Sequence, residues 1–323
     1  MNQDLLDLDT DDLIRTFGSA TTTELASRVS DTVSHDQVTR FLSERDDTSR
    51  DRWLQVKSTV REIAQPDAVR IFDDTIQEKP WTDESELICW HFDHCQNRTV
   101  KGMNLLNAFD DSGEVSIPVD FRLIRKPLPF CDVATRRLKR ASEVTKNELL
   151  QKRFLQALQN QLTFRDVFMD RWFAAKDNFA LILSKHKPFV AVLKDNRLMA
   201  LSQADQEQVR FVRVDSLPLA DKQVVRGWLK GFEHDVLLIG RVFTNKDGCT
   251  GRLSLVCSDL TCDGEPECRV CARDTRRVDP SPPGLAQWRQ PVPPGFVPLW
   301  AAAPPRGAPS GRARAAHGPT RMT

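Results

Sequence analysis

Two short apolar runs in this chain stop at aspartate. In Ala68 to Lys79, AVRIFDDTIQEK, Val69 and Ile71 alternate with Arg70 before the Asp73-Asp74 pair. In Arg165 to Phe179, RDVFMDRWFAAKDNF, Val167, Phe168 and Met169 lead into Asp170. β-branched and aromatic residues in short runs predict strands, and a strand that stops at a carboxylate predicts a site at its carboxyl edge. Neighbouring side chains on a strand point to opposite faces, so only one of the adjacent aspartates is expected to face a shared metal. Asp74 is assigned that place, with Asp73 turned away or capping a turn. An Asp-Asp-Thr turn bonded to local backbone is the plain alternative for the first pair. A second strand-terminal aspartate needs a common explanation with the first, and a turn does not supply it.

The elements that must position these carboxylates lie between the two runs. Glu86 to His94 and Gly113 to Arg125 read as strands, and Thr145 to Gln161 as an amphipathic helix. The helix opens on Thr145-x-x-Glu148, a capping-box spacing, and sets Leu150, Phe154 and Leu158 on one stripe. Strand, strand, strand, helix, strand is the ribonuclease H-like order. Its crossover helix returns the fourth strand parallel to the first and beside it. Asp74 and Asp170 are then expected side by side. The fold class is α/β, a ribonuclease H-like mixed sheet with an antiparallel β insertion, preceded by a small helical domain.

The segments FDDTIQEKPWTDESELICWHFDH, NRTVKGMNLLN and FMDRWFAAKDNF closely resemble the DDE transposases of bacterial insertion sequences, in the branch with a Tyr-x2-Arg-x3-Glu-x6-Lys signature near the third carboxylate. The resemblance extends from Met1 to about Glu265. It implies that Asp74 and Asp170 are the catalytic, metal-binding first and second aspartates, and that a glutamate on a later helix completes the set. It also implies Mg2+ or Mn2+ as cofactor, with Asp74 bridging two ions and Asp170 holding one. The implied reaction cuts a strand at the element's end and then joins the freed 3′ hydroxyl to target DNA. Double-stranded DNA, as terminal inverted repeats and target, is the implied partner of a homodimer.

Composition sets wider bounds. A chain of 323 residues, 40% hydrophobic and 28% charged, can bury a sizeable core. Its net charge of +1 leaves any nucleic-acid contact to local basic surface. No run reaches the length of a membrane span, and the acidic start MNQDLLDLDTDD is unlike a signal peptide, so a cytoplasmic protein is expected, and the transposase resemblance implies that it is nucleoid-associated. The 8 cysteines are expected reduced. Cys257, Cys262, Cys268 and Cys271 contain one C-x2-C pair without a second pair or a histidine, too little for a zinc site.

Residues 1–65 read as a helical domain. Capping-box spacings at Thr21-x-x-Glu24 and Ser34-x-x-Gln37 start helices at about Thr22 to Val29 and His35 to Glu44, joined at Ser30-Asp31-Thr32. This pair is compatible with a DNA-binding helix-turn-helix exposing His35, Gln37, Thr39 and Arg40, or with an ordinary helical hairpin. A third helix, Asp51 to Ala64, carries Trp53, Val56, Val60 and Ile63 on one stripe.

Residues 66–205 form the expected catalytic core. Lys79 lies close enough to the carboxylates to meet a phosphate. His91, Asp93, His94 and Cys95 alternate along a strand and so do not converge on a metal. Arg98, Lys101 and Asn104 follow, with Gly102 permitting a close backbone approach, and the resemblance puts these positions near DNA. Arg122, Arg125, Lys126, Arg136, Arg137, Lys139 and Arg140 make a basic stretch suited to backbone phosphates, or a solvated face. Phe189 to Lys194 reads as the fifth strand, with Lys194 and Asn196 at the carboxylate edge.

Residues 206–262 change to a period of two around the turn Asn245-Lys246-Asp247-Gly248, and read as an antiparallel β insertion. Residues 263–323 change character again. From Pro266 the last 58 residues hold 12 prolines and 9 arginines but no lysine, isoleucine or asparagine, which predicts a disordered tail. Its acids are Glu267, Asp274 and Asp279, none with the Arg-x3-Glu-x6-Lys spacing, and the chain has no tyrosine. The expected glutamate helix should begin just past DLTCDGE, Asp259 to Glu265, and is missing. A reading-frame shift near codon 265 accounts for the abrupt change. A genuine basic, proline-rich tail is the alternative. Function therefore divides three ways: a catalytically defective transposase copy, a noncatalytic DNA-binding fragment that competes with intact transposase, or a ribonuclease H-like metal-dependent nuclease.

Overall fold

The computed structural model describes residues 5, 7–9, 22–29, 33–44, 48–93, 98–112, 115–244 and 250–262. The linker Ser30-Asp31-Thr32, His94, Cys95, Cys268, Cys271, the turn at 245–248 and the tail from residue 263 lie outside the described residues. The described residues fall into two compact units, one within Met1–Asp47 and one starting at Thr48.

In the first unit, α1 (Thr22–Arg28) and α2 (His35–Glu44) pack through Leu25, Val38, Phe41 and Leu42. The start of α2 is a reciprocal cap: Ser34 N donates to Gln37 Oε1 at 2.8 Å, and Gln37 N donates to Ser34 Oγ at 3.2 Å.

The second unit opens with α3 (Ser49–Glu62), capped by Thr48 and Asp51. Its Trp53 and Val60 bury against Val119. Six strands follow: β1 (Val69–Glu78), β2 (Cys89–Asp93), β3 (Arg98–Asp111), β4 (Ser116–Leu123), β5 (Leu128–Asp132) and β6 (Arg137–Ala141). Then come α4 (Lys146–Gln159), β7 (Asp166–Met169), α5 (Lys176–Ser184), β8 (Phe189–Val192), β9 (Leu198–Ala200), α6 (Gln203–Glu207), β10 (Val212–Arg213), β11 (Val224–Leu229), β12 (Asp235–Thr244) and β13 (Thr250–Cys257).

Eleven strands share one mixed sheet in the order β10-β9-β11-β12-β13-β8-β7-β1-β3-β2, with β4 also on β3. Within it, β4, β3 and β1 are antiparallel, while β1, β7 and β8 are parallel. That segment is compatible with a ribonuclease H-like fold. The strands β11, β12 and β13 pair antiparallel, and β13 joins the edge of β8, so they extend the same sheet. The core lies under α4 and α5, where Phe72, Leu150, Phe154, Phe179 and Phe189 are essentially inaccessible, with the Phe179 and Phe189 rings stacked at 4.1 Å. Thr145 caps α4 as its spacing indicates, accepting from Glu148 N while the Glu148 carboxylate accepts from Thr145 N.

Two strand assignments change. The stretches Glu86 to His94 and Gly113 to Arg125 do hold strands, β2 and β4, but the neighbour of β1 is a further strand between them that the pattern does not show, Arg98–Asp111, the longest of the sheet. Its polar residues disguise it, because Asn104, Asp110 and Asp111 are buried in the sheet and break the alternation. Gly102 does permit a close approach, but the partner is β1: a Cβ there would collide with the carbonyl of Gln77. Nor does β1 stop at the aspartates. Thr75 to Glu78 continue the ladder on β3, and only the parallel pairing with β7 ends, at Phe72 opposite Met169.

Candidate active site

The end of that parallel pairing builds the site. One residue past Phe72 and Met169 come Asp73 on β1 and Asp170 after β7, with Asp74 next. One carboxylate oxygen from each of Asp73, Asp74 and Asp170 can be chosen so that all three lie within 4.8 Å of one another. Among the described residues this is the group of acidic, histidine or cysteine side chains placed to share a cation. The expectation that Asp73 turns away from its neighbour's cluster is therefore corrected. Pleat alternation separates two faces where strands flank each other, but β7 stops at Met169. The pairing that flanks β1 on that side ends at Phe72 opposite Met169, one residue before the cluster.

Each aspartate is held differently. Asp74 Oδ2 accepts from Asn104 Nδ2 at 3.1 Å and from Lys146 Nζ at 2.6 Å. Asp170 Oδ1 accepts from Arg171 N at 2.7 Å and caps the 3-10 turn that follows. Asp73 is 2% exposed, while the other two are partly open. Three carboxylates offer an all-oxygen set, the donor chemistry that hard divalent cations take. The residues present fit such an ion.

Residues 4–207 match the DDE superfamily endonuclease family. The chain belongs to that family. No curated protein matches it. A DDE superfamily endonuclease acts on nucleic acid and uses divalent metal, and the carboxylate cluster of this one could bind it. No helix among its described residues is long and apolar enough to cross a membrane.

Around the cluster, Lys146 is the residue that sequence reasoning missed. It sits in the first turn of α4, and a helix that precedes a strand of the parallel set brings its N-terminus to that strand's carboxyl edge. Position after the Thr145 cap was the available signal. Asn104, expected near DNA, is instead 1% exposed and donates to Asp74. Lys194 lies past β8, its Nζ 5.0 Å from the centroid of the Trp172 ring. Lys79 follows β1 directly, half-buried, its N donating to Lys101 O at 2.8 Å, and burial holds its ammonium below the usual lysine range.

The remaining DNA-contact candidates are spread over several surfaces. Arg98 pairs with Glu78 at 2.5 Å, and Lys101 stands opposite Trp90 on β3. Arg136, Arg137, Lys139 and Arg140 are on the separate two-stranded sheet of β5 and β6, where Arg136 takes a positive φ of 53° at the turn. Lys139 bonds Asp132 within that hairpin, and Arg140 reaches Glu84 at 3.2 Å. On α2, His35, Gln37 and Arg40 are exposed, with Gln37 engaged in the cap. A cleft of about 220 Å3 lined by Lys176, Asn196, Arg197 and Lys230 opens after β7 and β8, the end that carries Asp170.

His91 is buried on β2, its Nε2 3.4 Å from Cys89 Sγ. Burial first, then the charges of Lys126 and Lys146, pull its pKa down to about 3. The unfolded chain takes up a proton near pH 6.5 that the folded chain refuses, so stability falls as pH drops from about 6.5 toward 3. Between pH 7 and 5 this amounts to about 2 kcal/mol. Urea midpoints at the two pH values should show that loss in the native sequence and its absence in His91→Gln.

Proposed function

We propose that this chain derives from a DNA transposase of an insertion sequence, in the branch with the Tyr-Arg-Glu-Lys signature, and that this copy is catalytically defective. The juxtaposition of Asp74 and Asp170 just past the end of the parallel pairing of β1 with β7 carries the reading. Asp74 and Asp170 would hold Mg2+ or Mn2+. Bound divalent cations supply charge neutralisation at the attacking and leaving oxygens of an in-line phosphoryl displacement. Asn104 orients Asp74, and the cap to Arg171 N fixes the Asp170 carboxylate. Lys79, Arg98, Lys101, Lys194 and the basic β5–β6 hairpin with Arg136, Arg137, Lys139 and Arg140 would track the DNA backbone. His35, Gln37 and Arg40 of α2 would contact the element's ends, and the protein would act as a homodimer on them. The loss of the family's third carboxylate rests on the residue pattern from Pro266 onward, where neither the Tyr-x2-Arg-x3-Glu-x6-Lys spacing nor any tyrosine occurs.

One observation favours a second reading. Asp73 places a third carboxylate at the cluster, which would suit a metal-dependent nuclease of this fold that cuts without joining. A gel shift with terminal inverted repeats beside a cleavage and joining assay separates the cases. Sequence-specific binding without chemistry is the expected result. Cutting without strand transfer supports the nuclease, and absence of DNA binding refutes both readings.

A further inference from the structure

Lys146 stands where a cation is wanted. Its Nζ is 2.6 Å from Asp74 Oδ2, and the same Nζ is 5.5 Å from the centroid of the Trp172 ring. Lys194 approaches that ring from a different part of the fold, at 5.0 Å. Trp172 is 41% exposed, so the two lysines and the ring form a cationic, aromatic rim beside the carboxylates. We infer that Lys146 is a resident counter-cation of the carboxylate cluster: it occupies Asp74 until a divalent cation displaces it, then turns along Trp172 to join Lys194 on a phosphate of the bound strand. The inference rests on the metal reading of Asp74 proposed above.

The physical basis is competition for one oxygen. Three carboxylates within 4.8 Å repel one another, and an ammonium bonded to one of them relieves that repulsion. A divalent cation seeking the same Asp74 lone pair must remove the ammonium and then tolerate its charge nearby. Lysine suits this exchange because its charge is compact and its stem flexible. The Trp172 face gives the displaced ammonium a favourable stop within reach of its present position. Lys146 is thus a positioning residue, linking metal entry to the basic character of the strand path.

The test uses the full chain and Mn2+, followed by electron paramagnetic resonance of the free ion, so the readout is independent of turnover. Lys146→Met should bind Mn2+ about tenfold or more tightly than the native chain, since a unit positive charge a few ångströms away has gone. Lys146→Arg, which keeps the charge, should stay near the native affinity, and so should Lys194→Met. In the presence of Mn2+, both Lys146→Met and Lys194→Met should lower the salt slope of duplex binding by about one. Circular dichroism establishes that each variant is folded. Unchanged or weaker Mn2+ binding by folded Lys146→Met overturns the inference while leaving the metal site standing, provided that Asp74→Asn loses the ion. If neither the native chain nor Lys146→Met binds Mn2+, the metal reading fails and the inference fails with it.

Discussion

Asp170→Asn and Asp74→Asn are each expected to abolish strand cleavage, by at least about a thousandfold, in a chain whose reading frame is restored after Glu265. Losing the charge stabilisation of an anionic ligand, about 4 kcal/mol, is a factor of that size. Asparagine is the informative replacement because it keeps the local structure. Its side-chain oxygen can still accept from Arg171 N at position 170, so the cap that starts the 3-10 turn survives. A lost reaction then reports lost charge rather than a lost fold. Element-end binding should persist in both variants, because neither aspartate is itself among the candidate DNA-contacting residues. Full cleavage by either variant would refute its assignment. Asp73→Asn is the companion measurement. On the transposase reading it leaves cleavage by the restored chain largely intact, and on the nuclease reading it is as damaging as the other two.

What could be read from the sequence, and what could not, follows from how each residue meets its neighbours. Local rules with local consequences were legible. Thr145-x-x-Glu148 and Ser34-x-x-Gln37 each close a hydrogen-bonded cap within four residues, and the structure forms both. The parallel return of β7 beside β1 was legible because a crossover helix constrains it. Arg70 was misleading. It reads as the polar member of an alternating strand, yet it is fully buried, 3.7 Å from Asp110 directly across on β3 and 5.3 Å from the centre of the Phe164 ring. Burial lowers the Arg70 pKa and raises that of Asp110, the mark of a pair withdrawn from water together. Such a pair hides a central strand from any pattern based on polarity, and with Asn104 it explains why Arg98–Asp111 went unread. Asp73 illustrates a different limit. Its approach to Asp74 depends on where the neighbouring strand stops, which is a property of β7 and not of the DDT tripeptide.

On the proposed frameshift, restoring the reading frame is the change with the largest expected gain. The chain as written should cleave and join element ends on the order of a thousandfold more slowly than a chain translated in the alternative frame after codon 265. Two aspartates can recruit a cation, but the family resemblance places a glutamate on a following helix as the third anchor. Without it, one of the two oxygens of the displacement loses its neutralising partner. Glu265 and Glu267 are poor replacements. Both flank Pro266, which cannot donate to a helix, and a ligand loose by about 1 Å is enough to spoil a site of this kind. Asp73 is the more serious rival because it already stands in the cluster, but it comes from the same strand as Asp74. Asp73 and Asp74 would offer their carboxylates from a single strand, whereas a helix-borne glutamate would add an anionic ligand from a separate element. The comparison should be run in Mg2+ and in Mn2+, beginning with a translation of the nucleotide sequence past codon 265. The absence there of a Tyr-x2-Arg-x3-Glu-x6-Lys spacing would remove the frameshift, and comparable turnover by the two proteins would show that Asp73 or a tail acid completes a working site.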